Sequence, residues 1–292
     1  MTRIAVLTPD PADRTYAGRW PEVLARLTRT LEGTGAAVLP TPWTDHVEDA
    51  SRIEGHDLIL PVIAWGYHRD HARWLKACAT WATTGLPIAN PASVLGWNSD
   101  KTYLARLADK GVPIPPTRWS EAITQDQVDA AFTQIGAETT TPTLIVKPTV
   151  SAGAFRTLRL TPGQPLTEAP EGPAMIQPYL KSIETEGETS LLFFGGRFSH
   201  AVNKRPVPGD FRIQIQFGGL YQTVTPDAAA LALAEQVLAA VEEPLLYARI
   251  DLARDDAGAW VLMEAELIEP DFYLDHDPAN GSGFARAVQA RL

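Results

Sequence analysis

Three carboxylates in the C-terminal part of the chain have the types and spacing to hold a metal ion. Residues 247–270 read YARIDLARDDAGAWVLMEAELIEP. Asp251 follows the apolar run Leu245 to Ile250. Glu264 and Glu266 lie in a second run, Trp260 to Leu267, after the turn residues Asp255, Asp256 and Gly258. Two such runs around a turn predict a β-hairpin. Strand alternation then puts Glu264 and Glu266 on one face with Leu262, and Met263 and Ala265 on the other. Two carboxylates at i and i+2 in an otherwise buried strand repel and lose solvation unless a cation lies between them. With Asp251 arriving from the partner strand, three oxygen donors face one point, a set suited to Mg²⁺ and the phosphates it binds. A solvated strand edge whose acids happen to alternate gives the same pattern.

Other catalytic chemistries find little support. The one cysteine, Cys78, excludes an internal disulfide and a thiol metal site. Its neighbours Trp74, Leu75, Ala77, Ala79 and Trp81 mark it as a small core residue. No Ser/His/Asp or Cys/His constellation is evident. In the loop WGYHRDHARW, Trp65, Tyr67 and His68 are substrate-pocket candidates, with packing at a helix start as the competing explanation. His68 and His71 at i, i+3 lack a third metal ligand. No G-x-G-x-x-G follows the first strand, where TPDPAD stands instead, so a dinucleotide-binding oxidoreductase is excluded.

The elements that must position these groups divide the chain in three. Ile4 to Leu7, Ala36 to Leu39 and Leu58 to Ala64 read as short strands, with a helix over Trp20 to Leu31 closed by Gly33 and Gly35. That is a Rossmann-like open sheet, whose ligands lie outside the carboxyl ends of its strands. A further strand is expected at Leu86 to Ala89, and a helix from about Ser99 to Lys110. Leu144 to Val146 leads into Lys147-Pro148 and the loop Thr149 to Ala154; Met175 and Ile176 lead into Gln177-Pro178-Tyr179-Leu180. Ser190 to Phe194 and Arg197 to Val202 are joined by Gly195-Gly196, a hairpin signal. Phe211 to Phe217 alternates apolar and polar residues. Ala228 to Val241 is a helix, and Gly283 to Leu292 closes the chain as another. The fold class is α/β and α+β, with an N-terminal domain over 1–95, a small subdomain over 96–173 and a C-terminal subdomain over 174–292.

Composition agrees with a soluble globular protein: 292 residues, 45% hydrophobic, 21% charged, net charge −10. Such a charge argues against a nucleic-acid partner. No run approaches the roughly 18 apolar residues a bilayer span needs. The start, MTRIAVLTPD, enters a strand pattern without a signal peptide, so a cytoplasmic location is expected.

In order along the chain stand Asn98-Ser-Asp-Lys101, the strand IVKP with Lys147 and its Ser/Gly/Ala loop, MIQPYL, GETSLLFF, Lys204, Arg212, Asp251, and Glu264 with Glu266. Together they resemble the ATP-grasp fold over essentially the whole chain, with the first 95 or so residues matching the Rossmann-like domain that precedes it. Glutathione synthetase and the RimK-like ligases show the most similar pattern. The resemblance implies that Lys101 and Lys147 meet the nucleotide, with Ser151 and Gly153 in a loop folded over the triphosphate. It implies that the Gln177–Leu180 hinge, with Tyr179, binds the adenine edge. Glu188 takes the ribose hydroxyls, with Glu184 and Glu186 as competitors for that role. Asp251, Glu264 and Glu266 match the Mg²⁺ ligands, with two ions expected; many relatives carry Asn where Glu266 stands. Lys204 and Arg212 match the positions that stabilise the transferring phosphoryl group. Arg249 either joins them or pairs with Asp251. Ser190 stands where glutathione synthetase-like enzymes have a substrate-binding arginine.

The activity so implied is ATP- and Mg²⁺-dependent joining of a carboxylate to an amine through an acyl phosphate, shielded from water by lids at Thr149 to Ala154 and Asn203 to Phe211. The substrate is expected to be small and amino-acid-like, and relatives of this size are often homo-oligomers. Among small stand-alone members, the chain also resembles the cyclo-ligases that close O-ureido-D-serine to D-cycloserine. An intermolecular amino-acid or dipeptide ligase, a RimK-like modifier of a protein tail, and an ATP-binding regulator without chemistry are the competing readings.

Overall fold

A computed structural model describes residues 1–135, 143–210 and 212–292. The strands, in chain order, are β1 (Arg3–Thr8), β2 (Ala37–Pro42), β3 (Leu58–Leu60), β4 (Arg118–Ser120), β5 (Leu144–Pro148), β6 (Leu158–Leu160), β7 (Ala174–Pro178), β8 (Glu188–Phe194), β9 (Arg197–Arg205), β10 (Leu220–Val224), β11 (Tyr247–Arg254) and β12 (Trp260–Glu266). The helices are α1 (Trp20–Leu31), α2 (His71–Thr84), α3 (Ala92–Trp97), α4 (Tyr103–Asp109), α5 (Gln125–Gln134), α6 (Ser182–Thr185), α7 (Ala228–Val241) and α8 (Ser282–Gln289). They surround three sheets: parallel β2-β1-β3, β4-β7-β5-β6, and β10-β9-β8-β11-β12.

Each sheet carries its own apolar packing. Ala5, Leu7 and Ile59 face the aromatic cluster of Trp43, Trp74 and Trp81, within which the Cys78 thiol is buried. Helix α7 covers one face of the large sheet, seating Leu233, Ala234 and Val237 against Ile250, Leu252 and Leu262. The middle sheet packs Val128 and Ala131 of α5 against Val146 and Ile176.

Several sequence expectations change. The third strand stops at Leu60, because Pro61 starts a turn closed by the Ala64 N–H. Leu86 to Ala89 adds one bridge, Ile59 with Ile88, rather than a strand; Pro87 has no N–H to extend the ladder. The helix expected over Ser99 to Lys110 begins only at Tyr103, as α4, and a separate helix not expected from the sequence, α3, covers Ala92–Trp97 before it. The alternating stretch Phe211 to Phe217 holds a 3₁₀ turn at Ile215–Phe217; Phe211 itself lies outside the described residues. The middle sheet runs past residue 173, since β7 pairs with both β4 and β5.

Candidate active site

The hairpin is formed as expected, by β11 and β12, with Asp251 opposite Glu264 and Arg249 opposite Glu266. Its phase differs from plain alternation. Asp251 pairs with Glu264 but the next residue, Leu252, pairs with Leu262, so Met263 is an extra, bulged residue. Leu262 therefore turns into the core under α7, while Glu264 and Glu266 face the cavity. A bulge re-aims side chains in this way beside many active sites. The correction to the sequence reading is that Leu262 and Glu264 lie on opposite faces.

Oxygen atoms of Asp251, Glu264 and Glu266 lie within 4.8 Å of one another. Cations surround them. Arg249 grips Asp251 with Nε on Oδ1 and Nη2 on Oδ2, each at 3.0 Å, and Nη2 also contacts Glu266. Lys204 Nζ lies 3.1 Å from Asp251 Oδ2 and 2.6 Å from Glu188 Oε1. Lys101 Nζ is 3.3 Å from Glu264 and donates to the Ser151 carbonyl at 2.8 Å. Beneath the site, the buried Ser190 hydroxyl donates to Asp251 Oδ1 at 2.6 Å.

The balance between burial and these cations decides each group's charge. Burial works to raise the Asp251 carboxyl, but Arg249 and Lys204 hold it well below the usual carboxylate range. Burial also opposes ionisation of Glu264, and Lys101 with Lys147 reverses it. Glu266 goes the other way: burial outweighs Arg249, Glu264 and Asp251 add repulsion, and its carboxyl is pushed up to about 7. Burial lowers the Lys147 ammonium.

Apart from Ser190, these residues line one cavity of about 1510 Å³, which also takes in Ser151, Gly153, Gln177, Tyr179, Leu180, Arg212, Trp65, Tyr67 and His68. That volume exceeds an ordinary small-ligand pocket and has room for a nucleotide and a second molecule. In the hinge, the Tyr179 N–H is taken by the Thr143 carbonyl, and the Gln177 side chain donates to Thr117 at 3.0 Å. Tyr179 also donates its hydroxyl to Glu184 at 2.7 Å, which places Glu184 at the hinge and Glu188 at Lys204. Arg212 is held at the rim by Asp210, with its guanidinium 3.8 Å from the centre of the Phe217 ring, rather than at the carboxylates. Tyr67 stacks on Trp74 at the cavity wall, so packing and pocket lining coincide there. Burial, aided by Arg69 and Lys101, pushes the His68 imidazole down to about 4, and its Nδ1 is buried without a hydrogen-bond partner. His71 instead bonds Ser99 Oγ at 2.7 Å.

The sequence reading missed Glu269, Tyr273 and Tyr16, which also line the cavity. Glu269 had a signal, an acid three residues beyond Glu266 at the end of an apolar run. Tyr273 had none: its ring lies 5.2 Å from the Arg249 guanidinium through a left-handed backbone turn at φ 46°.

No family model matches the chain. Among characterised proteins it is 29% identical over 265 residues to the cycloserine biosynthesis protein DcsG of Streptomyces lavendulae, covering 86% of this chain and 87% of that one. The crystal structure of D-cycloserine synthetase DcsG superposes with a TM-score of 0.80 at 26% identity, covering 99% of each chain. The ATP-grasp ligase PsnB, solved with a minimal precursor, shares the fold at a TM-score of 0.64 and 15% identity, with 99% and 98% of the two chains covered. The chain is an ATP-grasp ligase. Another solved structure of similar fold, D-alanine–D-alanine ligase of Bacillus anthracis complexed with ATP, has a TM-score of 0.69 at 15% identity and covers 100% of this chain and 99% of that one. As an ATP-grasp ligase, the protein couples ATP to formation of an amide-type bond.

Proposed function

We propose that this ligase activates the carboxylate of a small amino-acid-like substrate as an acyl phosphate and closes it on itself, converting O-ureido-D-serine to D-cycloserine. Similarity to DcsG over nearly the full length of both chains carries this reading. In the first step a carboxylate oxygen bonds the γ-phosphorus of ATP, the bridging P–O bond breaks and ADP leaves. In the second, the nitrogen attached to oxygen bonds the acyl carbon and phosphate leaves with that nitrogen's proton going to solvent. Hydrolysis of the ring's carbamoyl group then frees carbon dioxide and ammonia.

Each residue has a share. Lys101 and Lys147, with the loop carrying Ser151 and Gly153, would hold the phosphates, and Gln177 to Leu180 the adenine edge. The Leu180 N–H, which makes no backbone hydrogen bond among the described residues, is free to donate there. Glu188 would take the ribose. Lys204 and Arg249 lie where charge builds on the transferring phosphoryl group, and Arg212 would join them when its loop closes. The convergent hard oxygens of Asp251, Glu264 and Glu266 fit Mg²⁺, which when bound would neutralise phosphate charge. Trp65, Tyr67 and His68 would line the substrate end.

Phosphate release from ATP and Mg²⁺ tests the proposal, against O-ureido-serine of each hand and a panel of amino acids and dipeptides, with Glu264→Gln as the inactive control. Release with O-ureido-D-serine alone, and formation of the ring by mass, is the expected outcome. Release only when a second amino acid is added would replace ring closure with an intermolecular ligation, which the large cavity also accommodates.

A further inference from the structure

Glu269 has no role in the chemistry above, yet it lines the same cavity. It does not belong to the convergent metal-type set, which is complete with Asp251, Glu264 and Glu266. Among the described residues its carboxylate makes no hydrogen bond or ion pair. Its backbone is fixed on both sides. The Leu267 N–H donates to Asn98 Oδ1 at 2.9 Å, the Leu267 carbonyl accepts from Asn90 at 2.8 Å, and the Ile268 carbonyl accepts from the Tyr247 hydroxyl at 2.7 Å. Ile268 is buried in the aromatic cluster of the N-terminal sheet, and Pro270 stiffens the other side. A rigid segment thus presents an unpartnered acid to the cavity.

Glu269 lines the cavity together with the carboxylate centre and with Tyr16 and Tyr67 of the N-terminal wall, and it interacts electrostatically with both. Glu266 is the strongest charge acting on Glu269, followed by Arg249; Glu269 is in turn the strongest charge acting on the buried Tyr67 phenol, and it also acts on Tyr16. Burial, with Glu266 adding to it, holds the Glu269 carboxyl well above the usual range. An ionised acid there lacks support unless a cation arrives.

We propose that Glu269 receives the α-ammonium of the substrate amino acid. This rests on the reading of an amino-acid-like substrate. The substrate carboxylate must reach the transferred phosphoryl group beside Lys204 and Arg249, and its ammonium sits on the adjoining carbon. That short reach leaves the ammonium at the next group outward from the centre. Glu269 is the acid on the same cavity wall left without a hydrogen bond or ion pair among the described residues, and an ammonium satisfies its missing partner as a charge-assisted hydrogen bond. Placed so, it would make the ligase discriminate amino acids from the corresponding acids that lack the amine.

Phosphate release is compared for wild type and Glu269→Gln on matched pairs: O-ureido-D-serine with 3-(ureidooxy)propanoate, and D-alanine with propanoate. Wild type is expected to prefer the amine-bearing member strongly. In Glu269→Gln the KM for that member rises about 10- to 100-fold, the scale of a lost hydrogen bond to a charged group, and the preference collapses. The KM for ATP, the Mg²⁺ midpoint and the melting temperature stay in place, which shows that the isosteric variant is folded. A variant that still discriminates overturns the inference, and so does a shifted Mg²⁺ midpoint, which would make Glu269 a metal ligand. Failure of the ring-closure reading looks different: wild type then acts only on the D-alanine pair, where the same comparison applies. A wild type silent on both pairs overturns the inference together with the substrate reading.

Discussion

At the scale of single residues, the carboxylate site depends on groups that never touch substrate. Ser190 stands where the resemblance led to a missing arginine, and its hydroxyl instead fixes one oxygen of Asp251 from below. Hydrogen bonds behind a metal ligand set its orientation, and losing one typically costs about 10- to 100-fold in metal affinity. Ser190→Ala is therefore expected to raise the Mg²⁺ concentration for half-maximal phosphate release by about that factor, with the rate at saturating Mg²⁺ largely kept. A magnesium titration showing a shift under about threefold would remove Ser190 from that role. Glu266 gives a pH prediction. Its carboxyl keeps its proton to about 7 in the fold against an ordinary 4.5. Between those values the folded chain holds a proton that the unfolded chain has lost, so the contribution to stability is present below 4.5 and disappears as pH rises through 7. Glu266→Gln resembles the protonated form at every pH. In EDTA it should match wild type near pH ~5 and exceed it by about 1–3 kcal/mol near pH ~8 in urea unfolding. A difference that does not grow with pH would show that Glu266 ionises normally.

At the scale of elements, what was legible had a local cause. Helices α1 and α7 were readable from apolar spacing and the hairpin from its turn residues, since propensity, pattern and fold agree there. The bulge at Met263 was not legible, because alternation assumes one partner per residue and an inserted residue leaves no compositional mark. Nor was the support of β12, which lies at the edge of its sheet. Its outward backbone groups are paired by side chains from the segment before α4 and from α4 itself. Asn98 accepts from the Leu267 N–H at 2.9 Å and donates to the Ala265 carbonyl at 2.8 Å, while the Ala265 N–H donates to the Tyr103 hydroxyl at 2.8 Å. In the sequence Asn98 stands only as the start of a motif ending in Lys101. Its side chain mimics a neighbouring strand, and both of its backbone partners are buried. Asn98→Ala should cost about 2–4 kcal/mol, two unsatisfied groups at about 1–2 kcal/mol each, as measured by urea unfolding. Because Glu264 and Glu266 ride on that strand, the Mg²⁺ midpoint should rise as well. A loss below about 1 kcal/mol would mean that water replaces the amide.

At the scale of the whole molecule, the cavity belongs to no single sheet. Lys147 and Gln177 come from the middle sheet, Glu188, Lys204, Asp251 and Glu264 from the large one, and Trp65 and Tyr67 follow the last strand of the N-terminal sheet. The sequence revealed the order of these pieces, since each motif is local, but not their convergence, which depends on contacts between residues more than a hundred positions apart. That architecture has a thermodynamic consequence. A ligand that bridges sheets binds only when they are folded and docked, so its free energy stabilises every sheet that melts in the same cooperative transition. At a concentration about 100 times its Kd, a non-hydrolysable ATP analogue with Mg²⁺ contributes about 2.7 kcal/mol. For a chain of this size that corresponds to a rise in Tm of about 4–5 °C. Calorimetry should show one transition moving intact. If the analogue instead split the melting curve, shifting one component and leaving another in place, the N-terminal sheet would be folding independently of the nucleotide site. The wall formed by Trp65 and Tyr67 would then be brought to the nucleotide only by substrate. One shared transition means that the N-terminal sheet, with Trp65 and Tyr67 at its end, folds and melts in one cooperative unit with the nucleotide site.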